Sequence, residues 1–195
     1  MRDLERPKLF EAIALFYKNT NPRKFGLVKL FKLLYFLDML HFRETGRAVT
    51  GLLYTALPYG PVPLELFSEM RNPAPDLADA VSITSPPKDV ESTDKPLTTI
   101  KPSSKIITGY LTRRQQRIAN ELAEIFRDAD ADDMSKVSHA RNGPWDLARK
   151  RGEKWNQKID YFDSPKIAIG TGKAISQELL KARAEEFEEV RKFFA

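Results

Sequence analysis

The run LVKLFKLLYFLDMLHF, residues 27–42, decides how the rest of the chain must be arranged. Its spacing predicts a helix from about Leu27 to Glu44. Only Lys29, Lys32 and Asp38 interrupt its first three turns, so no polar face remains. A helix that is apolar nearly all round is surrounded by other elements rather than laid on a surface. The run is therefore read as the central core helix, closed near Gly46 by the residue type that best tolerates a left-handed C-cap.

Composition agrees with a packed interior. The chain has 195 residues, 42% hydrophobic and 30% charged, enough for one ordinary domain spanning 1–195. It holds no cysteine, which rules out disulfides and thiolate metal sites and suits a cytoplasmic location. The start, MRDLERPKLFEAIALF, carries too many charges for a signal peptide, and LLYFL is stopped at once by Asp38, so no membrane span is expected. The net charge of +5 comes from 32 basic and 27 acidic residues scattered along the chain. An ordinary solvated surface accounts for it.

Working outward, a first helix is expected from Pro7, with Leu9, Phe10, Ile13, Phe16 and Tyr17 recurring at helical spacing and NTNP ending it. After the central helix, TGLLYTAL reads as a strand. The corner ALPYGPVP, residues 56–63, follows. Pro58 and Pro61 offer no ladder N–H, so strand pairing is expected to stop there, while Gly60 allows a positive φ. Pro63 opens the short helix PLELFSEM.

From 72 to 104 the composition turns to proline, serine, threonine and aspartate, as in an elaborated hairpin. AVSIT, PLTTI and KIITGY are candidate strands that could join the 52–57 strand in one small sheet, and SPPKDVESTDK reads as an exposed loop. Thr112 and Gln115 have capping-box spacing ahead of a helix with Ile118, Leu122, Ile125 and Phe126 on one face. ADDMSKVSH gives another short helix, and KWNQKIDYFDSP looks extended or irregular. A last amphipathic helix starts near Ser176 with Leu179, Leu180, Phe187 and Val190 inward. The fold class is α+β, mainly helical: a central buried helix, surrounding helices and a small antiparallel sheet or hairpin.

These residues resemble a known family. The pattern of Lys29, Leu30, Lys32, Leu33, Leu34, Tyr35 and Phe36, then Thr45–Gly46, then Tyr59, Gly60, Pro61 and Val62, is similar to the opening signature of the Panacea, or SocA-like, antitoxin domain. A second match, LTRRQ…MSKVSHARNGPW, supplies the paired Ser138–His139 and Pro144–Trp145. The resemblance implies a bacterial or prophage-borne antitoxin of a type II toxin–antitoxin system, with a place in phage defence, that binds and neutralises a cognate protein toxin. It also implies structural roles for Lys29, Lys32, Tyr35, Gly60, Pro61, Ser138, His139, Pro144 and Trp145. One family member acts instead as an adaptor delivering its toxin to a protease, and others carry DNA-binding domains, which are not expected within these 195 residues.

Chemistry is weakly signalled. Asp38, His41 and Glu44 stand at i, i+3 and i+6, a spacing a metal could use, but a polar helix end capped by its own side chains is the reading adopted. His139 has no serine or cysteine nucleophile in a recognisable elbow beside it, and it is expected to fix a helix end by hydrogen bonding. GTGK at 170–173 lacks the full phosphate-loop pattern and reads as a turn. No catalytic residue, metal or cofactor is assigned. The partner-binding candidates are Tyr54, Tyr59, Tyr110, Arg113, Arg114, Arg117 and Trp155, in keeping with the weight of tyrosine, tryptophan and arginine at interfaces. The same arginines, and the basic run around Trp155, could also face nucleic acid, an acidic protein or plain water.

Overall fold

The computed structural model describes residues 5–85, 98–152 and 155–193. Helix α1 (Arg6–Asn19) starts with proline in its first turn, as its fixed φ and missing N–H favour. A 3-10 turn at Pro22–Lys24 leads into α2 (Leu27–Thr45), the 19-residue element on which the others are assembled. Gly46 adopts the left-handed C-cap expected of it, at φ +74°, and its N–H donates to Phe42 O.

Helices α5 (Arg113–Ile125), α6 (Ala131–Ser138) and α8 (Gln177–Phe193) and a 3-10 segment, Tyr161–Lys166, pack around α2. Its apolar side chains, from Leu30 through Leu40, are almost wholly buried. Both α5 and α6 begin with the two-way capping box, Thr112 with Gln115 and Asp130 with Asp133. Those reciprocal bonds satisfy N–H groups that a helix start leaves without partners.

A three-stranded antiparallel sheet lies beside the helices in the order β2–β1–β5: β1 is Thr55–Leu57, β2 Gly60–Val62 and β5 Gln157–Lys158. Strand pairing continues through Pro61, which stands opposite Ala56. Pairing stops before Pro58, as expected, and only the expectation for Pro61 is corrected. The reason is position: β2 is an edge strand, and the Ala56 carbonyl is turned the other way, to Asn156 N–H at 3.1 Å. No ladder bond is asked of the proline nitrogen.

Helices α3 (Leu64–Arg71) and α4 (Pro75–Ala80) follow, and then a separate two-stranded sheet, β3 (Val81–Thr84) with β4 (Thr99–Pro102). The expected single sheet is thus two, and KIITGY forms no strand. The loop SPPKDVESTDK falls, from residue 86 onward, outside the described residues. Helix α7 (Pro144–Gly152) completes the set. The architecture is the expected mainly helical α+β fold.

Several inward assignments need correction. Ile125 sits at the open end of α5 and is half exposed, and Leu179 and Val190 on α8 are also exposed while Leu180 is fully buried. Only part of α8 rests on the core, so its apolar stripe is not covered along its whole length.

Candidate functional site: a clamped hairpin

The β1–β2 hairpin turns through Pro58 and Tyr59, and three helices hold its backbone. The Trp145 indole N–H on α7 donates to Leu57 O at 3.0 Å. The Ser135 hydroxyl on α6 stands 3.4 Å from Tyr59 O, and the Lys32 amine on α2 donates to Pro61 O at 2.9 Å. Carbonyls 57, 59 and 61 are therefore each taken by a side chain from a different helix. Gly60 makes the close approach possible. At φ +102° it occupies backbone space that side chains disfavour, and a Cβ there would lie 2.5 Å from Lys32 Nζ and 2.7 Å from Ser138 Oγ.

Lys32 is fully buried with no carboxylate beside it, and burial lowers its pKa to about 7. Lys29, one turn earlier, is equally enclosed and donates to the carbonyls of Arg127 and Ala129, both at 2.9 Å. Burial lowers its pKa to about 8. The two lysines of the helix thus act as donors to backbone. One ties α2 to the hairpin, the other to the turn between α5 and α6.

His139 caps the end of α6 through its backbone N–H, which donates to Ser135 O at 3.0 Å, while its ring takes a different part. Its ring lies flat against Trp145, centroids 3.9 Å apart and planes at 14°, and its buried Nε2 has no hydrogen-bond partner among the described residues. Burial, and secondarily the charge of Lys32, lower its pKa. Ser138 is buried and donates to Ser135 O at 2.9 Å. Pro144 opens α7 and points Trp145 back to the hairpin.

The metal-like trio is dispersed among other duties. The buried Asp38 carboxylate accepts from Val49 N–H at 2.8 Å, Thr50 N–H at 2.7 Å, the Thr50 hydroxyl and the Tyr54 hydroxyl at 2.9 Å. Glu44 pairs with Arg117 at 2.8 Å, and His41 Nδ1 donates to Arg47 O at 2.6 Å. Among the described residues no group of three or more ligand-type side chains could hold a metal. Sequence reasoning missed Asp38 as an organising residue, although a lone carboxylate in so apolar a helix was the available signal.

The partner-binding candidates scatter. Tyr54 is 1% exposed, packed edge-on against Tyr35 at 5.4 Å and bonded to Asp38, so it is a core residue and not a contact for a partner. Tyr59 is 80% exposed at the hairpin turn. Trp155 is 44% exposed, its ring 5.9 Å from that of Trp145. Tyr110 is exposed elsewhere, in a cleft with Phe10, Ile106 and Ile107. Arg113, Arg114 and Arg117 open α5, where Arg117 is engaged by Glu44 and by Glu121 at 3.4 Å.

Lys32, the Tyr59–Gly60–Pro61 turn, Ser135 and the Pro144–Trp145 pair, remote in sequence, thus form one clamp. Residues 30–146 match the family described as antitoxin SocA-like, Panacea domain. The chain belongs to the SocA-like Panacea antitoxin family. Its Panacea-domain match takes in Lys32, the hairpin, α6 and Trp145, that is, every part of the clamp. No curated protein and no solved structure matches the chain. Membership in the Panacea family supports a general antitoxin role and points to a toxin as partner. Among the described residues no helix is long and apolar enough to cross a membrane.

Proposed function

We propose that this Panacea protein is the antitoxin of a type II toxin–antitoxin system, and that it neutralises a cognate protein toxin by direct contact centred on the β1–β2 hairpin. The supporting observation is the combination of an 80% exposed Tyr59 with a backbone clamped on both sides of it. An aromatic anchor whose backbone is already held loses less freedom when a partner closes over it, so more of its contact energy appears as affinity. Trp155, beside Trp145, extends the aromatic surface at the same end of the sheet. One continuous hydrophobic core runs from α1 to the 3-10 segment, in keeping with a single binding domain.

The test is co-expression with the product of the adjacent reading frame. Rescue from growth arrest, with a stable complex and an undiminished level of toxin, is the expected result. Rescue accompanied by disappearance of the toxin would replace neutralisation by occlusion with delivery to a protease. A complex that forms only with nucleic acid, and weakens steeply with salt, would overturn the protein-binding reading.

A further inference from the structure

A cleft of about 410 Å³ lies at the start of α5, walled by α1, the end of α2 and α8. Its rim carries Lys8, Arg47, Arg114 and Arg183 against one carboxylate, Glu186. Lys8, Arg47 and Arg183 have no ion-pair partner among the described residues, and Arg114 reaches Glu44 only at 3.8 Å. Arginines usually find carboxylates on a surface with nearly as many acids as bases, so this concentration needs an explanation. Plain repulsion would scatter them.

Two buried side chains on the cleft wall supply it. Gln115 is 3% exposed, and its Oε1 accepts from Thr112 N–H at 2.9 Å. Its amide nitrogen, a pure donor, makes no hydrogen bond among the described residues, and Gln115 lines the cleft. His41 is 7% exposed. Its Nδ1 is committed to Arg47 O at 2.6 Å, and Nε2 makes no hydrogen bond among the described residues. The N-terminus of α5, 13 residues long, adds its positive dipole end. Donors and positive charge from several elements converge on one concave space.

We propose that this cleft binds the phosphate group of a small phosphorylated molecule, gripped by Arg114, Arg183 and the Gln115 amide, with His41 protonating as the anion enters. Bidentate guanidinium forks suit tetrahedral phosphate oxygens, and the volume suits a molecule of nucleotide size. His41 is neutral in the empty cleft, its pKa lowered to about 4 by burial and by Arg114, Lys8 and Arg47. A bound dianion reverses the balance of charge around the ring. Arg183 adds to the repulsion and Glu186 opposes it from α8. The proton then taken up at Nε2 turns an acceptor into a further donor to phosphate.

The chain has only two histidines, so His139 serves as an internal control. Ring resonances of the labelled full chain are followed against pH with inorganic phosphate, adenosine monophosphate and sodium chloride at matched ionic strength. The expected result is a saturable shift of His41 alone, with its pKa rising from about 4 by roughly three units, enough for the ring to take up the proton near neutral pH. Tighter binding of the monophosphate than of inorganic phosphate marks a phosphorylated molecule as the occupant; the reverse order marks free phosphate and overturns that part of the proposal. Arg183→Gln should weaken binding at least about tenfold and Glu186→Gln should tighten it, and opposite signs exclude a general loss of fold. If His41 stays unmoved, or if chloride shifts it as phosphate does, the cleft is no phosphate site. Either outcome leaves toxin binding at the hairpin untouched.

Discussion

Lys32 Nζ donates to Pro61 O at 2.9 Å, joining the middle of the most buried helix to the edge strand of the sheet. No carboxylate stands by to favour the charged amine, and burial alone lowers its pKa from 10.5 to about 7. The neutral amine still donates, so the clamp survives deprotonation. The unfolded chain binds the proton up to pH near 10.5 while the folded chain has released it by about pH 7. Stability must therefore rise as pH increases across that window. Lys29, lowered to about 8, adds in the same direction.

Denaturant titrations between pH 7 and pH 10 should show stability increasing by a few kcal/mol, on the order of 1.4 kcal/mol for each unit of pKa difference. Lys32→Met should flatten the slope. A wild-type stability that falls or stays level over the window would refute the buried-amine account.

Gly60→Ala tests the close approach. The new methyl would meet Lys32 Nζ and Ser138 Oγ, and the positive φ is unfavourable for alanine. A loss of about 1–3 kcal/mol is expected. Alanine at Gly109, which also has a positive φ but open space around it, should cost less. Equal losses at the two sites would reduce the effect to backbone strain alone.

Asp38→Asn tests the hub beneath the loop 49–54. The carboxylate accepts from two backbone N–H groups and two hydroxyls, and an amide brings an NH₂ against some of those donors. A loss of about 2–4 kcal/mol should appear as a lower midpoint of unfolding. Were the variant as stable as the wild type, the loop would have to be held by apolar packing instead.

Tyr59→Ala separates scaffold from interface. The side chain is mostly in water, so stability should change by less than about 0.5 kcal/mol. Affinity for the toxin, measured by titration calorimetry, should fall by at least about tenfold, as for an interface anchor. Matching losses of stability and affinity would leave Tyr59 only a role in shaping the turn.

The central helix was legible because composition alone dictates its place. A segment with no polar face has one outcome in water, and α2 is buried from Leu30 to Leu40 as the sequence implied. Caps were legible too, since Thr112–Gln115 and Gly46 act through neighbours a few residues away. Tyr54 was not, because its burial depends on Asp38, sixteen residues earlier, and on Tyr161, more than a hundred later.

What the sequence determined by itself was local: where helices start and stop, which helix lies at the centre, and the family to which the motifs point. Tertiary structure alone decided that Lys32, Ser135 and Trp145, from three helices, would converge on one hairpin, and that Gln115 and His41 would line one basic cleft. Periodicity and capping are short-range and leave a trace in neighbouring letters. Hydrogen bonds between residues 29 or 88 positions apart depend on how whole elements pack, and no local pattern encodes that.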